Sequence, residues 1–381
     1  MKKIRLGDVA TYVNGYAFKP ADRGDKGLPI IRIQDLTGNA YDLGFYDGAY
    51  PKQIEINNGD ILISWSASLG VYIWNQGKAL LNQHIFKVVF DKAEINQYYF
   101  VYAVKYNLNA MKSKAHGATM KHIVKKEFDN MLIPYPSLEE QEKIAVILSK
   151  VSQIIELCQK ALDKLDEIIK ARFVELFGDI KINNFKVKTA PMTDICEIID
   201  GDRGKNYPKQ DEFSEDGFCL FLNAKNVTSN GFDFSNCIYI SKEKDEILRK
   251  GKLTRGDVIL TTRGTIGNLA YYSDDIPFEN IRINSGMVIL RMNHEIVDEI
   301  FFIEQLKLQL EDIKRKIASG SAQPQLPIST MNKINMIIPS INEQKCFAAF
   351  VKQIDKSKVA VQKALDEAQL LFDSLMQQYF G

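Results

Sequence analysis

The strongest constraint on this chain is that it carries one long segment twice. Pro136-Ser137-Leu138-Glu139-Glu140-Gln141 is matched by Pro339-Ser340-Ile341-Asn342-Glu343-Gln344. Gln159-Lys160-Ala161-Leu162-Asp163 returns letter for letter as Gln362-Lys363-Ala364-Leu365-Asp366, Phe177-Gly178 as Phe380-Gly381, and Gly117 as Gly320, every pair 203 positions apart. Upstream the copies still align at smaller offsets: Gly59-Asp60-Ile61-Leu62-Ile63 with Gly256-Asp257-Val258-Ile259-Leu260, Leu69-Gly70 with Ile266-Gly267, Leu6-Gly7-Asp8-Val9 with Met192-Thr193-Asp194-Ile195, and Asn14-Gly15 with Asp200-Gly201. Solenoid units are only about 20–45 residues long, so this period marks a duplicated domain. The repeating unit is a variable globular segment followed by a well-matched helical one. A chain of 381 residues accommodates such a pair.

In the helical segment the apolar positions are Ile144, Leu148, Val151, Ile155, Cys158, Leu162, Leu165 and Ile169, in alternating steps of 4 and 3. That is a heptad seam, uninterrupted by Gly or Pro, with Pro134 and Pro136 before it and Gly178 as its C-cap. Its second copy reads Phe347, Val351, Ile354, Lys358, Val361, Leu365, Ala368, Phe372, Leu375 and Tyr379, broken only by Lys358. Each helix is expected to be about 55 Å long. Such a stripe must be covered, and the other copy, packed antiparallel, is the natural partner. A homodimeric coiled coil is the rival.

Residues 1–138 and 179–341 read as mostly strand. Runs such as Leu28-Pro29-Ile30-Ile31, Asp60-Ile61-Leu62-Ile63-Ser64-Trp65, Phe218-Cys219-Leu220-Phe221-Leu222 and Asp257-Val258-Ile259-Leu260-Thr261-Thr262 alternate with Gly, Asn and Asp turns. Each segment closes with an aromatic helical stretch, 98–111 or 300–317, and a polar glycine loop, 113–122 or 318–325. The fold class expected is α+β: two repeated, mainly-β globular domains (1–138 and 179–341) separated by a pair of long antiparallel coiled-coil helices (139–178 and 342–381) in pseudo-two-fold arrangement.

Catalytic patterns are absent. No phosphate loop occurs, since Gly251-Lys252-Leu253-Thr254 has Glu246 where the first glycine belongs. No nucleophile elbow, zinc protease or deaminase pattern occurs. The four histidines, at 84, 116, 122 and 294, and the five irregularly spaced cysteines form no metal-ligand set, so neither a metal site nor a disulfide is expected. Asp8/Asp194 and Asp60/Asp257 repeat in both copies and are expected to shape turns. The chain is therefore expected to be non-catalytic.

Net charge is only +1, but its distribution is uneven: residues 1–138 hold 17 basic and 12 acidic side chains, and no acid lies between Glu94 and Glu127 or between Asp312 and Glu343. Two globular copies, a rigid helical spacer and basic glycine loops suit recognition of a polymer at two sites, and DNA offers equivalent faces about 34 Å apart. The candidate DNA-binding residues are Arg32, Gln34, Ser64, Ser66, Gln83, His84, Lys112, Lys114, His116 and Lys121 in the first copy. In the second they are Asn223, Lys225, Asn226, Thr261, Thr262, Arg263, Asn284, Ser285, Arg315, Lys316 and Gln323. Lys112, Lys114, Lys121, Arg315 and Lys316 are expected on phosphates, and the remainder, Lys225 included, are of base-reading types.

The chain as a whole resembles the specificity (S) subunits of type I restriction–modification enzymes. The resemblance rests on Leu6-Gly7-Asp8-Val9, Gly59-Asp60-Ile61-Leu62, Gly117-Ala118-Thr119-Met120-Lys121-His122-Ile123, Ile133-Pro134-Tyr135-Pro136 and Glu140-Gln141. Its second set is Gly256-Asp257-Val258-Ile259-Leu260, Gly320-Ser321-Ala322-Gln323, Ile338-Pro339-Ser340 and Glu343-Gln344. It implies two target-recognition domains, each reading half of a bipartite, asymmetric double-stranded DNA site. It implies that the helices set the gap between half-sites and dock two methyltransferase (M) subunits, with two restriction/translocase (R) subunits completing the enzyme. S-adenosylmethionine, Mg and ATP would then belong to those partners, and this chain would need no cofactor. The differing glycine loops, Met120-Lys121-His122 against Gln323-Pro324-Gln325, predict two different half-sites.

Three other readings compete. A stand-alone enzyme, such as a nuclease or methyltransferase, would need a catalytic motif, and the D/N-P-P-Y/F of an adenine methyltransferase does not occur. A coiled-coil scaffold would not bind DNA. A silent or decoy specificity subunit would fold yet go unused. No run of 18 apolar residues is present, so no membrane helix is expected. The polar first residues predict no signal peptide, and the unpaired cysteines suit a reduced, cytoplasmic setting.

Overall fold

A computed structural model of the chain describes residues 2–38, 42–114, 125–318 and 325–381, with the side chains of 112–114 and 316–318 outside the description. The architecture is α+β and built twice. In the first copy, an antiparallel four-stranded sheet has the order Thr11–Asn14, Ile85–Val89, Ile61–Ser64, Gly70–Ile73. A second sheet runs Gly44–Tyr46, Leu28–Ile31, Ala79–Leu81, Glu55–Ile56, with its middle pair parallel. The second copy repeats this order: Cys196–Asp200, Met287–Met292, Asp257–Thr261, Leu269–Tyr271, and then Tyr239–Ile240, Cys219–Leu222, Ile281–Ile283, again with a parallel pair. Each copy closes on itself through a short pair of its first and last strands, Lys3–Arg5 with Leu132–Pro134 and Thr189–Pro191 with Asn335–Ile337.

Four longer helices complete the fold: α1 (Gln97–Lys114), α2 (Leu138–Phe177), α3 (Glu299–Ala318) and α4 (Ile341–Phe380). The two 40-residue helices are shared between two compact units, one of Met1–Lys160 with Val361–Gly381 and the other of Ala161–Ala360. In the first unit, Ile144, Leu148 and Val151 of α2 share a core with Phe372, Met376 and Phe380 of α4 and with Tyr99, Phe100 and Val104 of α1. In the second, Ile169, Phe173 and Phe177 of α2 share a core with Phe347 and Val351 of α4 and with Phe301 and Phe302 of α3. Within each unit, therefore, an early part of one long helix lies on a late part of the other, which makes the pairing antiparallel. The seam residues Ile155, Leu162, Leu165, Ile354, Val361 and Leu365 are half-buried, as suits a two-helix contact with solvent on its flanks. Lys358, which interrupts the seam, places its ammonium 2.6 Å from Asp166.

The repeated Glu-Gln pair has a structural cause. Gln141 is fully buried: its carbonyl oxygen accepts from Asn96 N–H at 2.9 Å, and its amide donates to Pro136 O at 3.0 Å. Gln344 does the same with Asp298 N–H at 2.9 Å and Pro339 O at 2.9 Å, and reaches Ile296 O at 3.1 Å. Each glutamine bolts the start of a long helix to the start of the helix that ends its own globular copy. The paired glutamate lies in the first helical turn, and in α4 Glu343 and Ser340 form a capping interaction in which Ser340 Oγ donates at 2.6 Å.

Asp60 and Asp257 shape turns. Asp60 accepts from Asn57 N–H and Asp257 from Thr254 N–H, both at 2.7 Å, with Lys87 and Arg291 each 2.8 Å away as counter-ions. The five cysteines are free. Burial pushes the thiols of Cys196 and Cys219 up to about 12, so both stay protonated at neutral pH. Among the described residues no helix is long and apolar enough to cross a membrane.

Candidate nucleic-acid interface

In each unit the strand ends of the two sheets gather the same set of turns. In the first unit these are 14–16, 32–36, 65–69 and 82–84. Gly15 N–H donates to Ile85 O at 3.0 Å, Gln83 N–H to Tyr16 O at 2.9 Å, Asn82 N–H to Ile31 O at 3.0 Å, and Trp65 N–H to His84 O at 3.2 Å. Trp65 also donates its indole N–H to Asn14 Oδ1 at 3.3 Å and packs edge-on against the His84 ring. In the second unit the turns are 200–203, 223–226, 262–267 and 284–286. Thr262 N–H donates to Gly286 O at 2.8 Å, Asn284 N–H to Leu222 O at 3.1 Å, and Arg203 to Asp200 Oδ1 at 3.1 Å and Ser285 O at 3.3 Å.

The repeated Asn14-Gly15/Asp200-Gly201 pair follows from this crowding. A Cβ on Gly15 would sit 1.9 Å from Asn82 O, and one on Gly201 would sit 2.2 Å from Asn284 O. The hairpin turn beyond is framed alike in both copies. Ser64 Oγ donates to Ser68 O, and Thr261 Oγ1 donates to Thr265 O. Ala67 and Gly264 take the same left-handed backbone at φ 56° and 71°. The third turn is closed by matching side chains: Asp35 Oδ2 accepts from Arg32 N–H at 2.8 Å, and Asn226 Oδ1 accepts from Asn223 N–H at 3.0 Å.

Against this frame the sequence candidates separate. Arg32 is tied to Asp35 by Nε at 3.1 Å and to Asp42 through its terminal nitrogen, so its guanidinium is committed to its own turn. Ser64, Ser66, Asn226, Thr261 and Thr262 are buried. Asn226 donates to Asp233 O and Asn236 O at 3.0 Å each, and Thr262 Oγ1 donates to Gly286 O at 3.0 Å. These residues build the frame. Asn223, Asn284, Ser285 and His84 are half-buried within it, with Asn223 Oδ1 capping Lys225 N–H and Asn284 Oδ1 capping Gly286 N–H at 2.9 Å each. The exposed members are Gln34 and Gln83 in the first unit, and Lys225 and Arg263 in the second. Gln34 and Lys225 occupy the same position of equivalent turns, directly after residues 33 and 224.

Arg315 lies exposed on α3, 3.4 Å from Asp312. Lys112 and Lys114 on α1 and Lys316 on α3 have side chains outside the described residues, and His116, Lys121 and Gln323 lie outside them altogether. The sequence reading passed over Asn14, Trp65, Asp200 and Arg203, although the aligned Asn14-Gly15/Asp200-Gly201 pair marked the place. Among the described residues no group of three or more His, Cys, Asp or Glu is arranged to hold a metal ion.

Residues 1–167 and 184–368 each match the family model for the type I restriction modification DNA specificity domain. The type I restriction enzyme EcoBI specificity subunit of Escherichia coli is 24% identical over 406 residues, covering 98% of this chain and 83% of that one. The type I restriction enzyme MjaVIII specificity subunit of Methanocaldococcus jannaschii is 26% identical over 385 residues, covering 95% and 89%. In fold, the chain is similar to the type I restriction–modification S subunit from M. genitalium, with a TM-score of 0.57 at 17% identity over 100% of this chain and 96% of that one. It is also similar to a chain solved in work on complex assembly and conformational transition of the type I restriction–modification system, with a TM-score of 0.51 at 14% identity over 99% and 97%. With one family match in each copy of the repeat, together spanning most of its length, the chain belongs to the family of type I restriction–modification specificity subunits.

Proposed function

We propose that this chain gives a type I restriction–modification enzyme its DNA sequence specificity, each recognition domain reading one half of a bipartite, asymmetric double-stranded site. The observation that carries the reading is the pair of turn clusters. One hydrogen-bonded frame recurs in both units, while the side chains exposed on it differ: Gln34 and Gln83 in one, Lys225 and Arg263 in the other. A shared frame with variable exposed groups suits two readers of different sequences. Glutamine pairs with adenine, arginine with guanine, and lysine with guanine or phosphate.

The long helices set the gap between the half-sites and dock two methyltransferase subunits. Exposed apolar residues away from the heptad seam support the docking: Val146, Ile154 and Leu157 on α2, and Val359, Leu370 and Leu371 on α4. Two restriction/translocase subunits complete the assembly. The chain itself is non-catalytic, and S-adenosylmethionine, Mg and ATP are held by its partners.

Mapping N6-methyladenine across the source genome, with the gene intact and with an early stop codon, tests this reading. Loss of methylation at one gapped, two-part motif is the expected result. An unchanged map, in a cell where the chain is made and co-purifies with a methyltransferase, would show that it does not direct methylation.

A further inference from the structure

The arginines of the two units divide sharply by what holds them. In the first unit, Arg23 pairs with Asp42 at 2.8 Å, and Arg32 is tied to Asp35 and Asp42. In the second, Arg203 is held by Asp200, Arg282 by Asp245 and Arg291 by Asp257, while Arg255 donates to the carbonyls of Ser273 and Phe278. Arg263 differs from these, as do Arg5 and Arg249, but of the three only Arg263 lies in a turn cluster. It stands exposed at the tip of the 262–267 turn, and its guanidinium has no carboxylate or carbonyl partner among the described residues.

The backbone beneath it is held at several points. Thr262 N–H and Arg263 N–H both donate to Gly286 O, at 2.8 and 3.2 Å. Thr261 closes the turn below, accepting from Asn268 N–H at Oγ1 (2.9 Å) and from Gly267 N–H at its carbonyl (2.8 Å). A shallow cleft of about 220 Å³ opens beside the side chain, lined by Asp200, Arg203, Thr262, Gln325 and Pro327. The equivalent position in the first unit is Ser66, which is buried.

We infer that Arg263 is a specificity-determining residue that reads one guanine in the half-site of the second unit, donating two parallel hydrogen bonds to O6 and N7 from the major groove. This inference rests on the proposed role of the chain in DNA recognition. A phosphate contact needs only a nearby positive charge, whereas paired recognition of a base edge needs the plane of the guanidinium to be set. The locked turn fixes where the side chain starts, and a guanidinium with no partner among the described residues is left free to turn its fork to a base edge. The first unit has a buried serine at this place and its nearby arginines tied down, so the arginine-read guanine belongs to one half-site only.

The test uses the full chain assembled with its methyltransferase subunits. Methylation maps are compared for the wild type, Arg263→Ala and Arg263→Lys. Arg263→Ala is expected to accept other bases at one guanine of one half-site, leaving the other half-site and the gap unchanged, and Arg263→Lys to keep a weakened preference for guanine there, because lysine keeps the charge and a donor but not the planar fork. Binding to duplexes with 7-deazaguanine at that position removes the N7 acceptor. It is expected to weaken the wild-type complex about tenfold and to leave Arg263→Ala unaffected. An Arg263→Ala motif that keeps every guanine overturns the inference. So does an even loss of affinity at all positions with a shallower salt dependence, which marks a phosphate contact. If the wild-type assembly binds no gapped site at all, the proposed function itself falls, independently of Arg263.

Discussion

Asp298 and Asn96 occupy the same place in the two copies, and the difference between them has a measurable effect. Asn96 Oδ1 accepts from Tyr99 N–H at 3.0 Å, and Asp298 Oδ1 accepts from Phe301 N–H at 3.1 Å and Ile300 N–H at 3.0 Å. Both cap the helix that follows, and the main-chain N–H of both is held by a buried glutamine. Burial raises the Asp298 carboxyl above its ordinary value, and neighbouring Glu299 adds to this, against the lowering effect of the two capping bonds. A carboxyl raised on folding favours the folded state below its unfolded value of about 3.9, and that contribution is lost as pH climbs through the folded value. Asp298→Asn keeps the capping acceptor and removes the charge. Its urea midpoint is expected to nearly match the wild type at pH 4 and to exceed it at pH 7. An equal difference at both pH values would show that ionisation of Asp298 plays no part.

At the scale of elements, the long helices were the most legible part of the sequence, because a heptad seam depends only on residues within one segment. The buried ends of that seam, Ile144 to Val151 and Phe347 to Val351, lie where the globular segments cover it, while its middle is sheltered by one helix and stays half-buried. The turn clusters were less legible. Arg32, Ser64 and Thr261 have the chemistry of base readers, but their partners are Asp35, Ser68 O and Thr265 O, and only the folded turn brings these within reach. Residue type did not separate the side chains buried in the frame from those exposed on it; only the fold did. The seam also holds a device that its pattern registered only as a defect. Lys358 is half-buried; burial lowers its pKa, but Asp166, with Asp355 and Glu304 adding to it, outweighs that cost, so the pKa lies above the ordinary lysine value. Removing Asp166 takes away the hydrogen-bonded partner and leaves the charge only the longer contact with Asp355 at 3.6 Å. Asp166→Asn is therefore expected to destabilise the second unit by about 1 kcal/mol in thermal melts, whereas Lys358→Leu, which restores an apolar seam, is expected to be neutral or stabilising. The reverse order would mean that the pair does not hold Lys358 in the seam.

For the molecule as a whole, the proposed function gives duplication a purpose: one chain would carry two readers without a second gene product, and divergence of the exposed groups would let the two halves of a site differ. On that proposal the helices carry a separate variable, the distance between readings, because lengthening a helix changes no side chain in either turn cluster. Insertion of one heptad into α2 after residue 160 and one into α4 after residue 360 keeps the apolar seam in phase and adds about 10 Å of helix rise. At about 3.4 Å per base pair this corresponds to roughly three base pairs. The methylated motif of this variant is expected to keep both half-sites unchanged and to gain about that much gap. A single heptad, in α2 alone, leaves the two seams out of register and is expected to abolish methylation at any gapped site. A double insertion that still methylates at the original gap would show that the helices do not measure it, and the distance would then have to be set by the partner subunits.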